Sequence, residues 1–135
     1  MNRSHESLIR LARFRVESLQ KQMAELDRAR AGLHRRSEEL EARIAKEQEI
    51  AGSDPALGAD YGAYAKSVIE RRENLQRSLS EVDGQAENLR EDLRTAFEEL
   101  KKYELIEERR LAKEKAEAAK AERDELDEAG SRLAG

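Results

Sequence analysis

The stretch IAGSDPALGADYGAY, residues 50–64, holds the only proline of the chain, Pro55, and three of its seven glycines, Gly52, Gly58 and Gly62. Proline removes a backbone donor and clashes with the preceding helical turn, and glycine weakens a helix through its backbone freedom. On both sides of this stretch the chain is dense in Arg, Glu, Leu, Ala and Lys. Such a gathering of breakers either links two unrelated parts or turns one helix back onto another. The periodicity of the flanks distinguishes the two.

Composition narrows the field first. The chain has 135 residues, room for one domain, with 41% charged and only 4% aromatic residues. So few bulky side chains with so much A/E/K/L/R indicate long helices or coiled coil. High charge with low hydrophobicity also marks unfolded chains, so the discriminator is whether the apolar residues keep a period.

They do. Before the break, steps alternating between three and four connect Ile9, Ala12, Val16, Leu19, Met23, Leu26, Arg30, Leu33, Ser37, Leu40, Ile44, Glu47 and Ala51. Labelled a and d in turn, most of these positions are apolar and d is largely Leu. After the break the rhythm returns, starting at d: Tyr61, Ala65, Val68, Arg72, Leu75, Leu79, Val82, Ala86, Leu89, Leu93, Ala96, Leu100 and Tyr103. Sustained heptads specify a supercoiled seam and argue against disorder.

Folding the chain at the break pairs residues whose numbers sum to 112. Ala51 then meets Tyr61, Ile44 meets Val68, Leu33 meets Leu79, Leu19 meets Leu93 and Ile9 meets Tyr103. Every a falls opposite a d, as an antiparallel pair requires, and no layer opposes two charges: Arg30 faces Val82, Arg72 faces Leu40 and Glu47 faces Ala65. The expected fold is all-α, a long antiparallel two-helix coiled-coil hairpin, with helix one over about 4–51, a turn at 52–60 and helix two over about 61–129. Within the turn, Ser53 or Asp54 can cap, Pro55 cannot continue the first helix, and Asp60 can N-cap the second.

Charge supports the same orientation. Residues 1–36 carry nine Arg/Lys against four Asp/Glu, and residues 98–128 carry twelve acids against eight bases. The hairpin sets the basic start beside the beginning of the acidic stretch. Beyond Tyr103 the pairing runs out, yet helical composition continues. Glu107 to Ala129 is expected as an overhanging single helix about 35 Å long at about 1.5 Å per residue, with Gly130 as its stop.

No chemistry of catalysis emerges. His5 and His34 are 29 residues apart and the fold does not unite them. The glycine-rich turn lacks the G-K-[ST] ending of a phosphate loop. No ligand cluster suggests a metal, and no cofactor is expected. The absence of cysteine leaves no disulfide framework and fits a reducing compartment. No run of about 18 apolar residues can span a membrane. The opening MNRSHESLIRLARFRV lacks the apolar core and cleavage site of a secretory signal. It has the arginines of an amphipathic transit peptide, but its apolar pattern continues unbroken into the next segment. A net charge of −4 without a basic, aromatic-backed face disfavours nucleic acid.

Two apolar clusters lie off the seam. At the free end these are Leu8, Leu11 and Phe14 on helix one and Leu105, Ile106 and Leu111 on helix two. At the turn end, Tyr64 and Ile69 flank the seam beside Leu57 and Ile50. Single apolar residues are common on surfaces, but clusters at both ends of a shaft without an active site describe a connector.

Several segments together resemble the FliJ family of the bacterial flagellar export apparatus and, more distantly, the stalk proteins of virulence-type type III secretion. They are the opening LIRLARFRVESLQKQMAEL, a mid-chain turn, the aromatic start of helix two in DYGAYAKSVIERRENLQ, and a long charged C-terminal helix. The resemblance implies a non-enzymatic, coiled-coil, ATPase-associated protein of flagellum biogenesis and protein transport. It would be cytoplasmic and peripheral at the inner-membrane flagellar base. Implied partners are a hexameric export ATPase, which would receive the free helix ends, a membrane export gate, and export chaperones that the protein helps to cycle. By position the gate-facing surface carries over to Tyr61, Tyr64, Val68 and Arg71. The basic residue at Arg71 departs from the small residue more usual there, and the seam buries Val68 against Ile44. Two other readings remain open. One is a generic coiled coil that self-associates through its seam. The other is a peripheral membrane binder with Arg3, Arg10, Arg13 and Arg15 on lipid headgroups.

Overall fold

The computed structural model of the protein describes residues 3–53, 56 and 61–134. Two long helices account for nearly all of them: α1, Arg3–Ser53, and α2, Tyr61–Ala134. They pack against each other as an antiparallel pair, and no strand occurs among the described residues. Helices of this length form because Ala, Leu, Glu, Lys and Arg are strong helix formers and because each added residue extends an existing nucleus. Gly52 and Ser53 continue α1, and the Ser53 hydroxyl donates to the Ile50 carbonyl at 2.9 Å, occupying one of the acceptors that a helix end leaves unpaired. Asp54, Pro55, Leu57, Gly58 and Asp60, on which the expected turn and the N-cap of α2 rest, lie outside the described residues.

The chain divides into two compact units, residues 17–93 and residues 1–16 with 94–135. In the first, Leu40, Ile44 and Val68 form a buried cluster, with Tyr64 and Leu75 packed against it. Ile44 and Val68 share the layer that the sum of 112 assigns them. Cross-helix ion pairs flank the seam: Arg30 Nε lies 3.0 Å from Asp83 Oδ1, and Arg72 holds both oxygens of Glu41 at 2.6 Å. Each of these pairs sums to 113, as neighbours of a seam centred on 112 should. In the second unit, Ala12, Val16 and Ala96 are buried. The same sum sets Val16 opposite Ala96.

The burial pattern reproduces the heptad. None of the thirteen seam positions of α1 is exposed, and on α2 only Arg72 is. Arg72 is a correction at side-chain level. The heptad assigns it to the seam, but a guanidinium has no partner among leucines and a large cost of desolvation. Its flexible stem carries the charge outward to Glu41 instead.

The other end of α2 also departs from expectation. Gly130 does not stop the helix, which runs on to Ala134. No glycine among the described residues has a positive φ, so the left-handed cap that would end the helix is not formed. Glycine costs a helix only about 1 kcal/mol relative to alanine, and the flanks favour continuation. Arg132 reaches across Gly130 to donate to Glu128 at 2.9 Å. All residues from Leu111 to Ala134 are exposed.

Candidate functional site

The unit of residues 1–16 and 94–135 carries the six apolar residues of the free end. Leu8, Leu11 and Phe14 follow one another at i, i+3 and i+6, walking from the flank of α1 to its outer face. Leu11 and Phe14 are about two-thirds exposed. On α2, Leu105 and Ile106 are partly exposed, and Ile106 occupies the same flank as Leu8. Around them Lys101, Lys102, Arg109 and Glu98 complete a shallow depression of about 470 Å³. Leu111 is half exposed but lies on the opposite flank of α2, apart from the other five. That flank also bears Phe97, 46% exposed. Phe97 shares its heptad position with Leu111, two heptads further along α2. The available signal was an aromatic residue off the seam in a chain with only five aromatics.

The seam of this unit ends in a polar clasp. His5 Nδ1 lies 3.9 Å from Glu107 Oε2, and Arg110 grips the Glu107 carboxylate from Nη2 at 2.6 Å and Nε at 3.1 Å. Arg110 also approaches Glu114 at 3.2 Å. The hydrogen bonds from Arg110 hold the Glu107 carboxyl below its ordinary value. Partial burial opposes this shift, and the Arg110 and His5 charges reinforce it. Positions 5 and 107 sum to 112, so the paired seam extends a layer beyond Tyr103. His5, far from His34 in the sequence, is a half-buried member of that last layer. The alternating series ends at Ile9 and Tyr103, one step of four short of His5 and Glu107.

In the unit of residues 17–93, Tyr61 and Tyr64 open α2 with ring centroids 5.9 Å apart and planes inclined by 44°. Both are half-buried, and the buried Tyr64 hydroxyl has no hydrogen-bond partner among the described residues. Val68 is 4% exposed and belongs to the core, so it offers no surface to a partner; its place among the gate-facing residues is corrected accordingly. Arg71 is exposed. Ile50 and Ile69 are exposed near this end, and Leu57 lies outside the described residues. Among the described residues no cluster of three or more His, Cys, Asp or Glu could hold a metal, and no helix is long and apolar enough to cross a membrane.

The arrangement is one of paired helices with apolar and charged surfaces at separate stations. A family model for the flagellar FliJ protein matches residues 2–135. The chain belongs to the FliJ family. Flagellar FliJ proteins of Caulobacter vibrioides, from strains NA1000 / CB15N and ATCC 19089 / CIP 103742 / CB 15, are each 34% identical to it over 123 residues, 89% of this chain and 88% of theirs. No solved structure gives a significant match. FliJ membership makes the chain a component of the flagellar protein export apparatus, concerned with flagellum biogenesis and protein export.

Proposed function

We propose that this FliJ-family chain is a non-enzymatic stalk and adaptor of the flagellar export apparatus, peripheral at the inner-membrane base of the flagellum. One station, around Leu8, Leu11, Phe14, Leu105 and Ile106, with Leu111 on the other flank of α2, binds the ring of a hexameric export ATPase. A second, at Tyr61, Tyr64 and Arg71, binds the membrane export gate, and the protein assists the cycling of export chaperones. The observation that carries this reading is the exposure of large apolar side chains beside the end of the paired seam, with Leu11 at 65% and Phe14 at 66%. Nothing in the fold gains from leaving them in water. Burying one such side chain against a partner is worth about 1.5–3 kcal/mol.

The test is ATP turnover by the cognate export ATPase, with and without the protein. Wild type changes the rate or the assembly of the ring. Leu11→Ser with Phe14→Ser weakens ring binding at least about tenfold, with helix content nearly unchanged because neither side chain is buried in the seam. Absence of any effect of wild type would remove the stalk reading. Equal effects of wild type and the double variant would move the contact elsewhere, most directly to the exposed end of α2.

A further inference from the structure

We propose a self-docking contact that lies beyond the export reading: the acidic end of α2 of one copy seats in a basic groove between α1 and α2 of a second copy. The groove has a volume of about 330 Å³ and belongs wholly to residues 17–93. Leu40 and Leu75 form its apolar floor. Arg36 and Arg43 rise on the α1 side and Arg71 on the α2 side. With Glu39 on the same rim, three arginines against one glutamate leave a net charge of +2.

The register makes this charge unusual. Arg36, Arg43 and Arg71 each immediately precede an a residue of the heptad, the flanking g position. In an antiparallel pair these flanking residues oppose one another, here with numbers summing to 114. The layers are then Leu8 with Ile106, Arg15 with Glu99, Gln22 with Asp92, Ala29 with Gln85, Arg36 with Ser78, Arg43 with Arg71 and Ile50 with Tyr64. Arg43 with Arg71 is the only like-charged layer. Like charges at these positions oppose pairing. None of the three arginines has an ion pair among the described residues. An external carboxylate group would remove the repulsion.

The occupant is present in the chain itself. Residues 121–134 hold five acids and two bases, a net charge of −3. On this helical segment Leu126 is 67% exposed and Leu133 91% exposed. They stand seven residues apart, about 10 Å along the axis, the same spacing as Arg36 and Arg43. At 100° per residue, Glu122, Leu126, Ala129 and Leu133 lie along one ridge, with Glu125 to one side and Asp127, outside Arg123, to the other. A largely apolar ridge with acids on both borders complements an apolar floor with arginines on both walls. The depression at Lys101, Lys102 and Arg109 has similar charge but is lined by α2 alone. A channel between two helices receives a third helix better than one helix face does.

The test is sedimentation of the full chain over a range of concentrations, with far-UV circular dichroism as a control for folding. Wild type dimerises reversibly, more weakly as salt rises. Arg36→Glu with Arg43→Glu, and separately Glu122→Lys with Glu125→Lys and Asp127→Lys, each weaken dimerisation at least about tenfold. Mixing the two variants restores it, because each then meets a complementary surface. All substituted residues are exposed, so helix content should stay unchanged in every variant. A wild type that remains monomeric at every concentration overturns the proposal, and the groove would then be free for an acidic segment of another protein. Dimerisation indifferent to the groove arginines, or lost on Lys101→Glu with Lys102→Glu instead, overturns it as well.

Discussion

Glu107 shows how much depends on a single carboxylate where two helices stop pairing. Its neighbours in the seam direction are apolar up to Leu100 and Tyr103, and beyond Arg110 every described residue is exposed. It receives two hydrogen bonds from Arg110 and stands 3.9 Å from His5 on the other helix. The Arg110 hydrogen bonds lower its pKa in the folded protein, and the unfolded chain releases that hold. A lowered carboxylate contributes stability that is fully present above its unfolded value and disappears as pH falls through the folded one. Wild type therefore loses part of its thermal stability on acidification from about pH 6 to about pH 3. In Glu107→Gln that part of the acid-side slope is absent, and the remaining slope belongs to other depressed carboxylates such as Glu41. Melting temperatures across the pH series measure the difference. Parallel wild-type and variant curves would show that Glu107 titrates alike in the folded and unfolded chains.

At the scale of the helix, the weak points are glycines rather than cavities. Gly84 lies within α2 with nothing within 4 Å of where a Cβ would stand, and Gly32 lies within α1 with only the Arg35 side chain at 4.0 Å. Arg30 interrupts the apolar seam nearby, its charge drawn aside by Asp83. Gly84→Ala therefore removes a backbone-entropy cost without adding a clash and should stabilise the protein by about 1 kcal/mol. Equilibrium denaturation measures the gain, and amide exchange around residues 80–86 should slow in the variant. No gain would mean that tertiary packing rather than helix propensity limits stability there. This is also the scale at which the sequence was most legible. Leu33, Leu40, Ile44, Leu79 and Leu89 announce their seam positions because apolar residues predominate at alternating three and four steps. The pattern failed where side chains are long or polar. Arg72 occupies a seam position by count but leaves it to reach Glu41. His5 and Glu107 make a seam layer that no apolar count can find. Gly130 reads as a stop because glycine ends many helices, yet good helix formers and the Glu128–Arg132 pair carry α2 past it. The residues proposed to face partners were legible only as apolar side chains off the seam, since exposure names a surface and not its occupant. Val68 shows the limit of carrying a role over by position: the seam had already claimed it.

For the molecule as a whole, the distribution of surface chemistry argues for separable contacts. Residues 1–16 with 94–135 display Leu11, Phe14, Phe97 and Leu111. Residues 17–93 display Ile50 and Ile69 and the half-buried ring pair Tyr61 and Tyr64. None of these residues is shared between the two sets. Each side chain anchors only what it touches, and substitutions without common partners act additively. Leu11→Ser with Phe14→Ser should therefore abolish the effect on ATP turnover while leaving binding to the cytoplasmic part of the export gate unchanged. Tyr61→Ala should do the reverse, lowering gate affinity at least about tenfold, since a buried aromatic anchor is often worth about 2 kcal/mol or more. Both measurements use the same full-length preparations, with helix content checked by circular dichroism, so a folding defect would be seen as a loss in both. If Leu11→Ser with Phe14→Ser weakens gate binding as strongly as it weakens ring binding while helix content holds, the two partners share one site. The adaptor would then hand one partner over to the other rather than hold both at once.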